Sequence, residues 1–159
     1  MRKLGLSPSF LATLFFGVHG QEVELALRVY AHAFTYPGDE DANWLRVFLR
    51  VYSDLGTWQV EDPCLLTWER AASSEWLEQW SRNEPDSPNP LDFMEPNLCF
   101  ERRTHPGGSS MLRIGFDLEC RPPRAVDEVD YYVDCAVDSD TLQQLVEDLR
   151  QEQRAFPAR

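Results

Sequence analysis

The stretch Asn43–Asp62, NWLRVFLRVYSDLGTWQVED, decides the fold. Leu45, Val47, Leu49 and Val51 alternate with Trp44, Arg46, Phe48, Arg50 and Tyr52, the period of two that a strand with one buried face requires. Asp54-Leu55-Gly56 closes a hairpin, and Thr57 to Glu61 begins the returning strand. Pro63 brings no N–H to a ladder and is expected to end or bend that strand. The outward face of the first strand is aromatic and basic, unusual for a solvated surface. Two readings stand: another segment covers it, or it binds something.

Working outward, Val23, Leu25, Leu27 and Val29 alternate with Glu22, Glu24, Arg28 and Tyr30 and predict a half-buried strand before the hairpin. Beyond it, Cys64 to Trp68 reads as a short strand or a passage into a helix. Ser73 or Ser74 is the expected cap of that helix, with Trp76, Leu77 and Trp80 on its core face. After the proline-rich loop RNEPDSPNP the chain returns to strands: LDFM, NLCFERR, MLRIGFDLEC and VDYYVDCAV. The last two place Leu112, Ile114, Phe116, Leu118 and Cys120, then Val129, Tyr131, Val133, Cys135 and Val137, on inward faces. Leu142, Leu145, Val146 and Leu149 form the stripe of a closing helix capped by Asp138 or Ser139. Strand runs without βαβ alternation give an α+β class: an antiparallel sheet of six to seven strands with two helices, the second C-terminal. One domain is expected over residues 21–153, with an N-terminal segment 1–20 and a tail 154–159.

That segment, MRKLGLSPSFLATLFFGVHG, pairs two basic residues with a short apolar run and resembles a weak secretion signal, yet Ser7-Pro8-Ser9 interrupts it and His19-Gly20-Gln21 would also serve as a turn into a strand. The expected location is the cytoplasm, or the periplasm or medium if residues 1–20 are cleaved. Four cysteines without CxxC or Cys/His spacing read as buried thiols, the alternative being one or two disulfides.

Charge narrows the function. The chain carries 27 acids against 15 bases, a formal net charge of −12, which repels nucleic acid and anionic membranes at long range. Lys3 is the single lysine, which removes Walker-type and Schiff-base chemistry that would need one in the domain. Cys64 has Glu61, Asp62 and Glu69 as sequence neighbours, the wrong surroundings for a thiolate nucleophile. His19, His32 and His105 share no metal-ligand spacing, and Gly107-Gly108-Ser109 reads as a hairpin turn. No catalytic residue, metal or cofactor is expected.

What remains is an acidic row: Asp130, Tyr132, Asp134, Ala136 and Asp138 alternate outward on the last strand, continuing through Asp140 to Glu147, Asp148 and Glu152 on the helix. It is either a solvated face or a contact for a basic partner, with Tyr132 as an anchor of the kind enriched at hot spots.

Taken in order, DANWLRVFLRV, WQVEDPCLLTWE, EWLEQW, PNLCFE and LRIGFDLECRPP resemble the bacterial WapI family of immunity proteins, from about Glu22 to Leu149. The matching positions are Asn43, Trp44, Asp62, Pro63, Leu65, Trp76, Pro96, Asn97, Leu98, Glu119 and Pro123. The resemblance implies a single-domain, non-enzymatic inhibitor of a cognate toxin domain. The partner would be a protein, basic if the acidic row is the contact, and neither nucleic acid nor a membrane. Asp130, Tyr132, Asp134, Asp138, Asp140, Glu147 and Asp148 are the candidate contact residues. A small secreted or periplasmic hydrolase or ligand-binding domain is the other reading.

Overall fold

In the computed structural model, which describes residues 12–34, 36–84 and 86–159, the chain runs twice through four strands and a helix. The first pass is β1 (Ala12–Phe16), β2 (Glu22–Tyr30), β3 (Trp44–Ser53), β4 (Gly56–Leu66) and α1 (Thr67–Ser81). The second is β5 (Leu91–Asp92), β6 (Leu98–Thr104), β7 (Ser110–Phe116), β8 (Tyr131–Ala136) and α2 (Ser139–Ala155). Each set of strands pairs in chain order into its own antiparallel sheet of four. The antiparallel α+β class with a C-terminal second helix therefore holds, and the strands divide between two sheets. Residues 1–11 of the leader-like segment lie outside the described residues; Ala12–Phe16 pairs with β2 as part of the first sheet. No helix among the described residues is long and apolar enough to cross a membrane.

The inward rows of both sheets and the apolar stripe of α2 merge in one core. Phe15 of β1 lies 5.9 Å from Phe100 of β6, Trp58 of β4 meets Phe116 of β7 edge-on at 5.5 Å, and Trp76 of α1 packs on Trp80 and Phe100. Burying each such side chain contributes about 1.5–3 kcal/mol, so the two sheets hold each other in place.

Local chemistry overrode the sequence pattern at three places and chose between two expected outcomes at a fourth. A bulge between Leu27 and Val29 turns Val29 outward, to 52% exposure, and lets Tyr30 pack on the core instead. Of the two effects expected of Pro63, it bends β4 rather than ending it: the register steps from Val47↔Asp62 to Leu45↔Leu65, a bulge that takes up the missing donor, and the strand continues to Leu66. Helix α1 starts six residues before Ser73, where the Glu69 carboxylate accepts the Leu66 N–H at 2.9 Å; Ser73 and Ser74 lie inside it and bond back to the Glu69 and Ala71 carbonyls. Strand β7 ends at Phe116 because Asp117 caps a short 3-10 turn, and β8 begins only at Tyr131, so Leu118 and Val129 are exposed rather than inward.

The two passes are joined by a buried charge pair. Arg70 of α1 and Glu152 of α2 bond to each other with both side chains 1% exposed, and Thr13 of β1 donates to the same carboxylate at 3.2 Å. Glu152 is thus an interior residue and not part of an acidic face. Arg70 Nε and Nη1 and Glu152 Oε1 find no partner among the described residues, a cost set against the pairing. Asn43 clasps the end of the chain: its side chain accepts from the Thr67 hydroxyl and the Arg159 N–H and donates to the Arg159 carbonyl.

Candidate functional site

The core uses one face of each sheet, and the other face of β6–β7–β8 carries the site. Cross-strand pairing puts Cys99, Gly115 and Tyr132 in one row there and Glu101, Arg113 and Asp134 in the next. Gly115 contributes no side chain at the middle of its row, and a pocket of about 440 Å³ opens above it, walled by Arg113, Tyr132, Glu101, Glu128 and Asp130.

The charges around this pocket are unequally compensated. Asp134 holds Arg113 through two bonds of 2.8 and 2.9 Å, and the guanidinium lies 3.6 Å over the Tyr132 ring. The bonds from Asp134 keep Arg113 above its ordinary pKa, so this arginine is a fixed, neutralised wall. Arg121 is shared between Asp127 at 3.2 Å and Asp117 at 3.7 Å, and Glu101 pairs with Arg103 at 3.0 Å. Glu128 and Asp130 are exposed and have no ion pair among the described residues. Glu128 also sits at φ +65°, a left-handed conformation that costs energy for a residue with a Cβ, and it lines the pocket together with Asp130.

Of the residues named from sequence, Asp130 and Tyr132 line this pocket and Asp134 braces it. The others are elsewhere and at work structurally. Asp138 caps α2 by accepting the Thr141 N–H at 2.8 Å, which draws its carboxyl below the ordinary 3.8. Glu147 pairs with Arg154 at 3.1 Å, Asp148 accepts from Gln144 at 2.9 Å, and Asp140 stands in the first turn of α2. The expected single acidic row is therefore two places, a pocket and a helix. Gly115, Arg113 and Glu128 were not singled out from sequence, although an isolated glycine inside an alternating strand is itself a sign of close approach.

Cys64, Cys99 and Cys135 are held as protonated thiols. Cys64 and Cys120 share a hydrogen bond that, with burial, pushes the Cys64 thiol far up, and burial raises Cys135 to about 12. Cys99, at the pocket floor, is raised to about 12 by burial and by its bond to Asp92. No group of three His, Cys, Asp or Glu side chains among the described residues could hold a metal ion. Asn97, 1% exposed, donates to Asp62 at 3.4 Å and Glu119 at 2.9 Å, which ties three of the motif positions into a brace between β4, the loop before β6 and the 3-10 turn. Burial and then Glu119 raise the Asp62 carboxyl.

A thick aromatic core, motif residues spent on bracing, and charge displayed at a concave outer face make up a small module that presents a surface. A family model described as the Immunity protein WapI-like family matches residues 14–157, and the chain belongs to that family. Membership supports an immunity role and implies a toxin as the partner protein. No curated protein matches the chain.

Proposed function

We propose that the chain is a non-enzymatic inhibitor that occludes its cognate toxin by seating a basic patch of it on the outer face of β6–β7–β8. The observation that carries this reading is the uncompensated pair Glu128 and Asp130 beside the exposed Tyr132 at the rim of the pocket. Carboxylates next to an aromatic ring receive Arg and Lys well, and a net charge of −12 speeds encounter with a basic surface. A toxin that acts on nucleic acid carries such a surface for phosphate, and the acids would occupy it in the nucleic acid's place. The acids of α2, Asp140, Glu147 and Asp148, would then add long-range steering rather than contact.

The test is capture from host lysate with tagged protein at low and high salt, followed by expression of the recovered partner alone and together with the chain. A stoichiometric partner that is toxic alone and tolerated in company, and whose capture fails with Glu128→Lys/Asp130→Lys, is the expected result. Asp134 and Asp138 are left intact, since reversing them would strand Arg113 and uncap α2. Undiminished capture by the folded double variant would move the contact to another face.

A further inference from the structure

Gly115 is the next-to-last residue of β7 and is paired on both sides, to Cys99 of β6 and Tyr132 of β8, where glycine costs strand stability relative to alanine. The fold does not ask for it. A Cβ built there would meet nothing nearer than Cys99 Cβ at 3.7 Å and the Cys99 carbonyl at 3.8 Å, ordinary contact distances. What the glycine supplies is depth: any longer side chain would rise into the 440 Å³ pocket directly above. That volume is near the lower end for small-molecule sites and suits one long side chain with its flanking backbone.

The walls say which side chain. Arg113 is locked to Asp134 and so presents a plane and not a free charge, with Tyr132 beneath it. The free charges at the mouth are two carboxylates, Glu128 and Asp130. A flat cation with an extended apolar stem fits this combination. A guanidinium can bond both carboxylates in its plane and stack on aromatic or guanidinium surfaces, which a lysine ammonium cannot do.

We propose that the pocket over Gly115 is a socket for a single arginine side chain of the toxin, a central anchor of the complex. This rests on the immunity reading above and adds the residue type recognised. Arginine is among the residues that most often dominate interface energy when seated in a pocket.

The experiment uses Nα-acetyl-arginine methylamide as the probe, titrated into the full chain and followed through backbone amide shifts, beside the matching lysine and citrulline compounds. Saturable shifts at Cys99, Asp130 and Tyr132 with a dissociation constant in roughly the millimolar range are expected for so small a ligand. They should be weaker for lysine, absent for citrulline, and lost in Gly115→Leu and in Glu128→Gln/Asp130→Gln, both checked for an otherwise native spectrum. Toxin affinity should fall roughly thirtyfold in Gly115→Leu. If the arginine compound produces no localised shift while the chain still captures its toxin, the socket is wrong and the immunity reading stands. Equal shifts for arginine and lysine also overturn it, in favour of a general acidic patch. Arginine binding by a chain that captures no toxin removes the toxin as occupant.

Discussion

The two sheets share one order of strands and differ on their outer faces. Across the first, long side chains lie over the strands and bond one another: Arg50 reaches Glu24, Arg28 pairs with Glu61 at 3.5 Å, and the Arg28 guanidinium sits 4.4 Å from the Phe48 ring. Those contacts account for part of the aromatic and basic face of β3, and Tyr52 and Phe16 remain exposed at its end. Across the second, the corresponding middle strand offers Gly115, and the surface falls into a pocket. One missing side chain in a central strand separates a closed face from a concave one.

The comparison can be broken most severely at the seam between the halves. Arg70→Met should cost about 3–5 kcal/mol in urea unfolding, because it leaves the Glu152 carboxylate buried without its partner. Arg70→Met combined with Glu152→Leu should recover most of that loss; a double variant as unstable as the single would show that the pair is needed for more than its own neutralisation. Two glycines, Gly17 just after β1 and Gly115 in β7, give a sharper and opposed test. Gly17→Ala places a Cβ 2.6 Å from Val133 of β8 and should cost about 1–3 kcal/mol, whereas Gly115→Ala has room and should gain about 0.5–1 kcal/mol. Thermal melts of both decide whether the second sheet keeps its glycine for packing or for depth. The smallest effect is at Asp138. Its carboxyl is lower in the folded chain than its ordinary 3.8, so its stabilising cap is present above that value and fades as pH falls through the depressed one. Asp138→Asn keeps a capping side chain but removes the titration, and its melting temperature should fall less steeply than the parent's in acid.

Much of this architecture was legible because alternation and helical stripes report burial directly. Leu45, Val47, Leu49 and Val51 are all buried, as are Leu142, Leu145, Val146 and Leu149. The misread positions, Val29, Leu118 and Val129, lie at a bulge or at strand ends, where one extra residue or a capping carboxylate changes the face, whereas Pro63 bends its strand, one of the two effects expected of it. The division into two sheets was not legible, since a strand's pattern records that one face is covered and not by which neighbour. The acidic row was visible as composition, but its parts were separated by bonds between distant residues, Asp134 to Arg113 and Glu152 to Arg70. The resemblance, in turn, rested on residues such as Asn43, Asp62, Asn97 and Glu119, whose bonds brace the fold and so carry information about shape rather than about the partner.

All five tryptophans, Trp44, Trp58, Trp68, Trp76 and Trp80, precede the second sheet in the chain, and none lines the pocket over Gly115. Trp58 and Trp76 lie instead in the shared core, each with its indole N–H bonded to a carbonyl. Tryptophan emission, excited apart from the tyrosines that line the pocket, is consequently a gauge of the core rather than of the pocket, so the fluorescence of a single sample can report whether a binding-defective variant is still folded.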